Sequence, residues 1–387
     1  MSVTDPKGFV ASGVAAGLKK EGLDLAVVRS TVPAVGAAMF TRNRVLAAPV
    51  IVSKRHLAEA QPQAVVLNSG GANAATGERG ELDAIASAAE AARLLDLQAE
   101  QVLVCSTGVI GVRLPLDKLL MGLRAATAQL SEDGGPLAAE AIMTTDTKPK
   151  QAVSEGKCFA VGGMAKGAGM IHPLLATMLV VLTTDYPLGA EEADSFLRAA
   201  VEKSFNRISV DGDCSTNDTV ILLANGASGA TRTPALDAHF RDALQEVCDK
   251  LARQLVEDGE GVSVVLEIAV NGAVDDTQAR AIASRIATSP LDNTAAYGHD
   301  PNWGRVLMAA GSAPFDGGLA DLDPSRVALS FNGTQVVAGG TPTGAAADGR
   351  GSVCRIELDL GLGDGAASYL ASDLSYDYVR INAEYTT

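Results

Sequence analysis

Apolar runs that end in turn residues recur along the chain: AVVLNSGG (64–71), QVLVCSTG (101–108), FAVGG (159–163), TMLVVLTTD (177–185), TVILLANG (219–226) and VSVVLEIAVNG (262–272). Runs of this length with such boundaries predict buried strands. Between them, ELDAIASAAEAARLLDL (81–97) and HFRDALQEVCDKLARQLVED (239–258) place apolar residues at i, i+3 and i+4 with charges opposite, and TQARAIASRIAT (277–288) does so more briefly. These three stretches predict amphipathic helices. The last hundred residues add VALSFNG (327–333), SVCRIELDLGLGDG (352–365) and a final alternating segment, YDYVRINAEYTT (376–387).

Strands come in runs rather than in strict alternation with helices. That favours an α/β class of the α+β layered kind, sheets covered by helices, over a doubly wound parallel fold. A composition shift at SPLDNTAAYGHD (289–300) and glycine-proline segments near 311–318 and 339–351 predict a smaller C-terminal domain. The expected division is 1–262 and 263–387.

Composition narrows the function. The chain of 387 residues is 47% apolar, enough to build sizeable cores. Its five cysteines, Cys105, Cys158, Cys214, Cys248 and Cys354, have no C-x-x-C spacing, so reduced buried thiols are expected rather than disulfides or a zinc ribbon. The N-terminal stretch lacks a basic region followed by a long apolar one, and MLVVL falls far short of the roughly 18 apolar residues of a membrane span. A cytoplasmic protein with no membrane partner is expected. A net charge of -15 with only 4% aromatic residues disfavours nucleic-acid binding.

Several motifs fail on their chemistry. In GGMAKGAG (162–169) the lysine precedes the second glycine, which is not a phosphate loop. DGDCSTNDTVIL (211–222) spaces Asp211, Asp213, Ser215 and Asn217 like a calcium loop, yet has no glycine at the sixth position and ends at Leu222 where a glutamate is required. NGASGA (225–230) is no nucleophile elbow. The four histidines, His56, His172, His239 and His299, lie far apart, so a nucleophile here is not expected to lean on histidine. No metal and no cofactor are expected.

A hydroxyl nucleophile without histidine needs another base, and an N-terminal threonine supplies one in its own α-amine, with a reference pKa of about 7.7–8.0. Thr177 would gain that amine if the Ala176–Thr177 bond were cut. A small preceding residue, a glycine-rich approach (Gly162, Gly163, Gly167, Gly169) and a strand behind are all present. From pattern alone, a threonine that simply opens a buried strand is the better account.

Ten segments in order give the chain a close resemblance to the ornithine acetyltransferase family of arginine biosynthesis: FTRNRVLAAPV (40–50), VLNSGGANAATG (66–77), CSTGVIGVRLP (105–115), MTTDT (143–147), GGMAKGAGMIHPLLATML (162–179), DGDCSTNDT (211–219), DGEG (258–261), DPNWGR (300–305), LSFNG (329–333) and VRINAEYTT (379–387). The resemblance implies self-cleavage between Ala176 and Thr177 and acetyl transfer from N2-acetylornithine to glutamate through an acetyl-Thr177 intermediate, without a cofactor. It implies an oxyanion hole at Thr107 and Gly108. Substrate contacts are implied at Thr144, Lys166, Thr177, Glu260, Asn382 and Thr387.

The implied fold is an αββα sandwich similar to N-terminal nucleophile hydrolases, whose smaller C-terminal domain returns its tail to the site; the implied assembly is α2β2. Read without the resemblance, Thr107-Gly108 is a strand-ending turn, Lys166 and Glu260 are solvated charges, and the tail residues sit where chain ends fray. DPNWGR and DGDCSTNDT read as segments that shape loops around the site, and His172 as a structural turn residue. Some members of the family also take acetyl from acetyl-CoA, a choice no motif reports. The rival readings are an N-terminal nucleophile aminopeptidase or amidase with water as acceptor, and a non-enzymatic protein that has kept the fold.

Overall fold

The computed structural model describes residues 2–172 and 178–384. The chain runs through β1 (Phe9–Val14), β2 (Leu25–Ser30), β3 (Val35–Phe40), α1 (Ala48–Glu59), β4 (Ala64–Ser69), α2 (Gly77–Leu95), β5 (Val102–Thr107), α3 (Leu116–Ala128) and α4 (Gly135–Ala141). It continues with β6 (Lys150–Glu155), β7 (Ala160–Lys166), β8 (Leu179–Thr184), α5 (Ala190–Lys203), β9 (Ile208–Ser209), β10 (Thr219–Ala224) and α6 (Pro234–Glu257). The remainder is β11 (Val265–Ala273), α7 (Asp276–Ala287), α8 (Pro290–Tyr297), α9 (Trp303–Gly311), β12 (Pro314–Phe315), β13 (Gly318–Leu319), β14 (Ala328–Phe331), β15 (Thr334–Ala338), β16 (Thr341–Pro342), β17 (Val353–Asp359), β18 (Gly365–Ser372) and α10 (Tyr376–Glu384).

Two sheets, ordered β1-β2-β4-β5 and β3-β10-β8-β7-β6, pack face to face. Strand β8 shows why its sequence is apolar without interruption. Leu179 and Val181 join Leu67, Leu103 and Cys105 in the core between the sheets. Val180 and Leu182 point the other way, into a core with Leu197 of α5 and Leu244, Val247 and Leu251 of α6. On the outer face of the first sheet, Val27, Val66 and Val104 pack with Val52 of α1, Ala88 of α2 and Leu123 of α3. Each aliphatic side chain buried this way contributes about 1.5–3 kcal/mol, so the helix–sheet–sheet–helix layering follows from strands apolar on both faces.

A third sheet, ordered β16-β15-β14-β17-β11-β18-β9, packs one face on α7 and α9 through Ile282, Ile286, Val306 and Ala309. Its strand β17, VCRIELD, alternates buried and exposed residues, as a half-solvated strand does. The short β9 comes from far earlier in the chain and pairs with β18 at Ile208–Leu370 and Ser209–Ala371.

The segment noted for its alternation near the end of the sequence forms a helix over Tyr376–Glu384. Ser375 explains the difference, because its hydroxyl oxygen accepts the Tyr378 N–H at 3.0 Å, the geometry of a helix N-cap. Asp377 in the first turn adds a favourable charge there. Among the described residues no helix is long and apolar enough to cross a membrane.

Candidate active site

β5 ends at Thr107 in one sheet and β7 ends at Lys166 in the other. At these ends lies a cavity of about 120 Å³, lined among others by Thr107, Gly108, Thr144, Lys166, Glu260 and Asn382. Six positions separated by up to 275 residues of sequence therefore share one space. Ala176, Thr177 and Thr387 lie outside the described residues.

Lys166 is 3% exposed, and its Nζ donates to Thr107 Oγ1 at 3.1 Å. Burial lowers its pKa against the opposing attraction of Asp146, Asp218 and Glu260. Because the ammonium occupies a lone pair of the Thr107 oxygen, that hydroxyl keeps its own proton free to donate elsewhere. The next residue, Gly108, has φ +129, and a Cβ there would lie 2.6 Å from Gly71 N. Only glycine fits, and Gly108 lines the cavity next to Thr107. A hydroxyl and an amide side by side form a suitable donor pair for a developing oxyanion.

Glu260 is held from two sides. Its N–H donates to Ala168 O at 2.8 Å, and its carboxylate lies so close to Gly169 that a Cβ there would meet Oε2 at 2.5 Å. Asn382 Nδ2 donates to the same Oε2 at 2.8 Å, which brings α10 onto the cavity rim. Thr144 donates its N–H to Asp146 Oδ2 at 2.9 Å, and Thr145 lines the cavity beside it. Burial would raise the Asp146 carboxyl, but Lys166, Lys150 and the Gly167 amide outweigh it and hold it at about 2.

The segment DGDCSTNDT contributes residues at and behind the cavity wall that the sequence reading did not single out for roles. Asp211 lines the cavity, accepts the Ile171 N–H at 2.9 Å and the Tyr378 hydroxyl at 3.3 Å, and is raised to about 6 because burial outweighs its amide hydrogen bonds. Asn217 Nδ2 donates to Ala72 O at 2.6 Å and to Ser106 O at 2.9 Å, bracing the end of β5. Asp218 is fully buried, accepts the Met178 N–H at 3.1 Å, and burial raises its carboxyl well above the usual range. The signal was a strongly polar run between two apolar strands whose Ser215, Thr216, Asn217 and Asp218 are all buried.

DPNWGR lies elsewhere. It caps α9 in the third-sheet layer, where Asn302 Oδ1 accepts the Arg305 N–H at 3.2 Å, and lends no residue to the cavity lining. His172 stands 3.5 Å from Ser209 Oγ, with its pKa lowered by burial, and does not line the cavity. The cavity lining thus combines one lysine, Lys166, with the carboxyl groups of Glu260, Asp211 and Asp213, a mixed charge pattern suited to a zwitterionic ligand.

The ArgJ family model matches residues 10–387. The chain is 50% identical to the arginine biosynthesis bifunctional protein ArgJ of Mycolicibacterium paratuberculosis, over 100% of this chain and 96% of that protein. It is 47% identical to the protein of the same name from Thermobifida fusca, over 100% of both. Among solved structures it is similar to an ornithine acetyltransferase complexed with ornithine from Mycobacterium tuberculosis, with 46% identity, 46% of this chain and 96% of that chain covered, and a TM-score of 0.44. On a family match that spans nearly the whole sequence, the chain belongs to the ArgJ family.

Proposed function

We propose that the chain is a glutamate N-acetyltransferase that activates itself by cleavage and carries acetyl on Thr177. In the first step Thr177 Oγ attacks the Ala176 carbonyl carbon. The Ala176–Thr177 C–N bond breaks with a proton to nitrogen, and water hydrolyses the resulting ester. An α chain ending at Ala176 and a β chain beginning at Thr177 result, and the new α-amine is the base that Thr177 lacked.

In transfer, Thr177 Oγ gives its proton to that amine and attacks the acetyl carbonyl of N2-acetylornithine. The tetrahedral oxyanion accepts hydrogen bonds from the Thr107 hydroxyl and the Gly108 N–H, each worth about 2.7–4 kcal/mol when well placed. Collapse returns the proton to the departing ornithine amine and leaves acetyl-Thr177. The glutamate amine then takes the acetyl in a second passage through the same oxyanion, a ping-pong cycle. Lys166 meets a substrate carboxylate, Glu260 the cationic end of ornithine, and Thr144, Asn382 and Thr387 supply neutral hydrogen bonds.

The observation that carries this reading is the convergence of Thr107, Gly108, Lys166, Glu260 and Asn382 on one cavity. The relatives are named bifunctional, and we extend the reading to acetyl-CoA as a second donor that loads the same threonine. We further place the cleaved chain in an α2β2 assembly in the cytoplasm, with residues 1–262 as the catalytic layers and 263–387 as the smaller domain.

Intact mass spectrometry with and without N2-acetylornithine tests the proposal. Two fragments divided at Ala176–Thr177 and one acetyl on the β chain are expected, with Thr177→Ala uncut and inactive. A Thr177→Ala protein that is processed and transfers acetyl would sink it. Release of free acetate in the presence of glutamate would instead favour an amidase with water as acceptor.

A further inference from the structure

Lys150, the first residue of β6, is fully buried and has no role in the cycle above. Its Nζ lies 2.6 Å from Asp146 Oδ1 and 2.5 Å from Asp258 Oδ2. Each carboxylate is gripped in turn by other segments. Asp146 accepts the N–H of Thr144 at 2.9 Å and that of Gly167 at 2.7 Å. Asp258 accepts the N–H of Thr147 at 3.1 Å and the hydroxyl of the same residue. Asp258 also opens the turn that carries Glu260. The stretches from which Thr144, Lys166 and Glu260 project therefore meet at one ammonium.

Stability is a poor explanation for such a centre. Desolvation of buried ions absorbs most of their mutual attraction, and well-packed apolar replacements are often as stable. Registry is the better one, since a single ammonium with two carboxylate partners is satisfied only where both converge. At the centre itself one ammonium, Lys150, faces the two carboxylates of Asp146 and Asp258, and Lys166 adds a second positive charge near Asp146.

We infer that Lys150 is a positioning residue: it joins segments 144–147, 166–169 and 258–260 so that the groups facing the substrate's carboxylate and its cationic end keep a fixed spacing. Its kinetic consequence rests on the cavity being the acetyl-transfer site, whereas the joining of the segments does not.

The test uses the full chain in three variants. Lys150→Met alone leaves a buried carboxylate unbalanced, so it is compared with Lys150→Met/Asp258→Asn, which restores neutrality. Thr147→Val, which removes only one hydroxyl from the centre, provides a milder step. Amide hydrogen exchange is followed by mass spectrometry, and steady-state kinetics with N2-acetylornithine and glutamate are measured on the same samples.

The double variant is expected to melt near the wild type while segments 144–147 and 166–169 exchange roughly ten-fold faster or more, and KM for both substrates rises by a similar factor, the scale of a small misplacement in a site. Thr147→Val moves both readings the same way by less. A double variant with wild-type exchange in those segments overturns the inference, whether or not KM changes. Faster exchange with unchanged KM overturns the positioning role and leaves Lys150 a structural tie. Faster exchange in a protein whose wild type transfers no acetyl supports the tie and removes the functional assignment of the cavity.

Discussion

The Lys166 ammonium donates to the Thr107 hydroxyl oxygen over 3.1 Å and so bridges the ends of two strands that belong to different sheets. Lys166→Met removes that donor, and the Thr107 hydroxyl loses the contact that directs its proton. kcat for acetyl transfer should fall by about 10²–10³, the cost of losing one oxyanion donor. A variant within two-fold of the wild type, roughly the scatter between preparations, contradicts this role for the contact.

The same lysine sets an alkaline limit. Burial lowers its pKa, so its charged form is lost as pH rises through a value below the ordinary lysine pKa of about 10.4. The transfer rate should decline on the alkaline side earlier than an unperturbed lysine would dictate, and Lys166→Met should lack this limb. A pH–rate profile of the wild type that stays flat up to the ordinary lysine range is the contrary result.

Asp146 ties acid stability to the site. Burial raises its carboxyl, but Lys166 and Lys150 prevail and hold it at about 2. Its folded pKa is below the unfolded value of about 3.9, so the stability it contributes is present above that value and is lost as pH falls toward 2. Asp146→Asn should cost on the order of 2 kcal/mol at pH 7 in urea unfolding, with the gap to the wild type closing as pH approaches 2. A gap that is independent of pH excludes the linkage.

Asn217 braces the end of β5, where the proposed oxyanion donors lie. Asn217→Ala leaves the buried carbonyls of Ala72 and Ser106 without this donor, at a cost of about 1–3 kcal/mol for each group left unsatisfied. Because Ser106 precedes Thr107, kcat should fall together with the melting temperature. Normal kcat in a destabilised protein would show that the brace does not reach the chemistry.

Ser375 controls the helix that delivers Asn382. Its oxygen caps α10 through the Tyr378 N–H, and its hydroxyl also donates to Gly261 O at 2.6 Å. Ser375→Ala should cost about 0.5–2 kcal/mol of helix stability and raise KM more than it lowers kcat, since α10 bears on binding rather than on the oxyanion. Steady-state kinetics that show a kcat effect alone would contradict this division.

How much of this was legible in the sequence depended on whether the information was local. Strands β4, β5, β8 and β10 were readable because both of their faces are buried, which makes them apolar runs. Strands such as β1 (FVASGV) and β3 (VGAAMF) were not singled out, since small residues give them little hydrophobic contrast. The helix in the tail was not read, since alternation was the pattern noted there and the start signal, Ser375 before Asp377, was not weighed. Thr107, Lys166, Glu260 and Asn382 were identified through ordered segments of resemblance, and no local pattern brought them together. Lys150 carries no mark at all: lysine is ordinarily a surface residue, and only the fold shows one fully buried between two carboxylates.

The hydrogen bond from Asn382 to Glu260 closes a span of 122 residues, and it forms only when α10 lies on the cavity rim. On a ribosome the two facing sheets and the Glu260 turn are complete long before residue 382 has been added. A nascent chain stopped after β11 would hold Glu260 with nothing from α10 opposite it. The order of synthesis therefore closes this side of the cavity only after the sheets that frame it, and a truncated product that folds its core well is still left with an open-sided cavity.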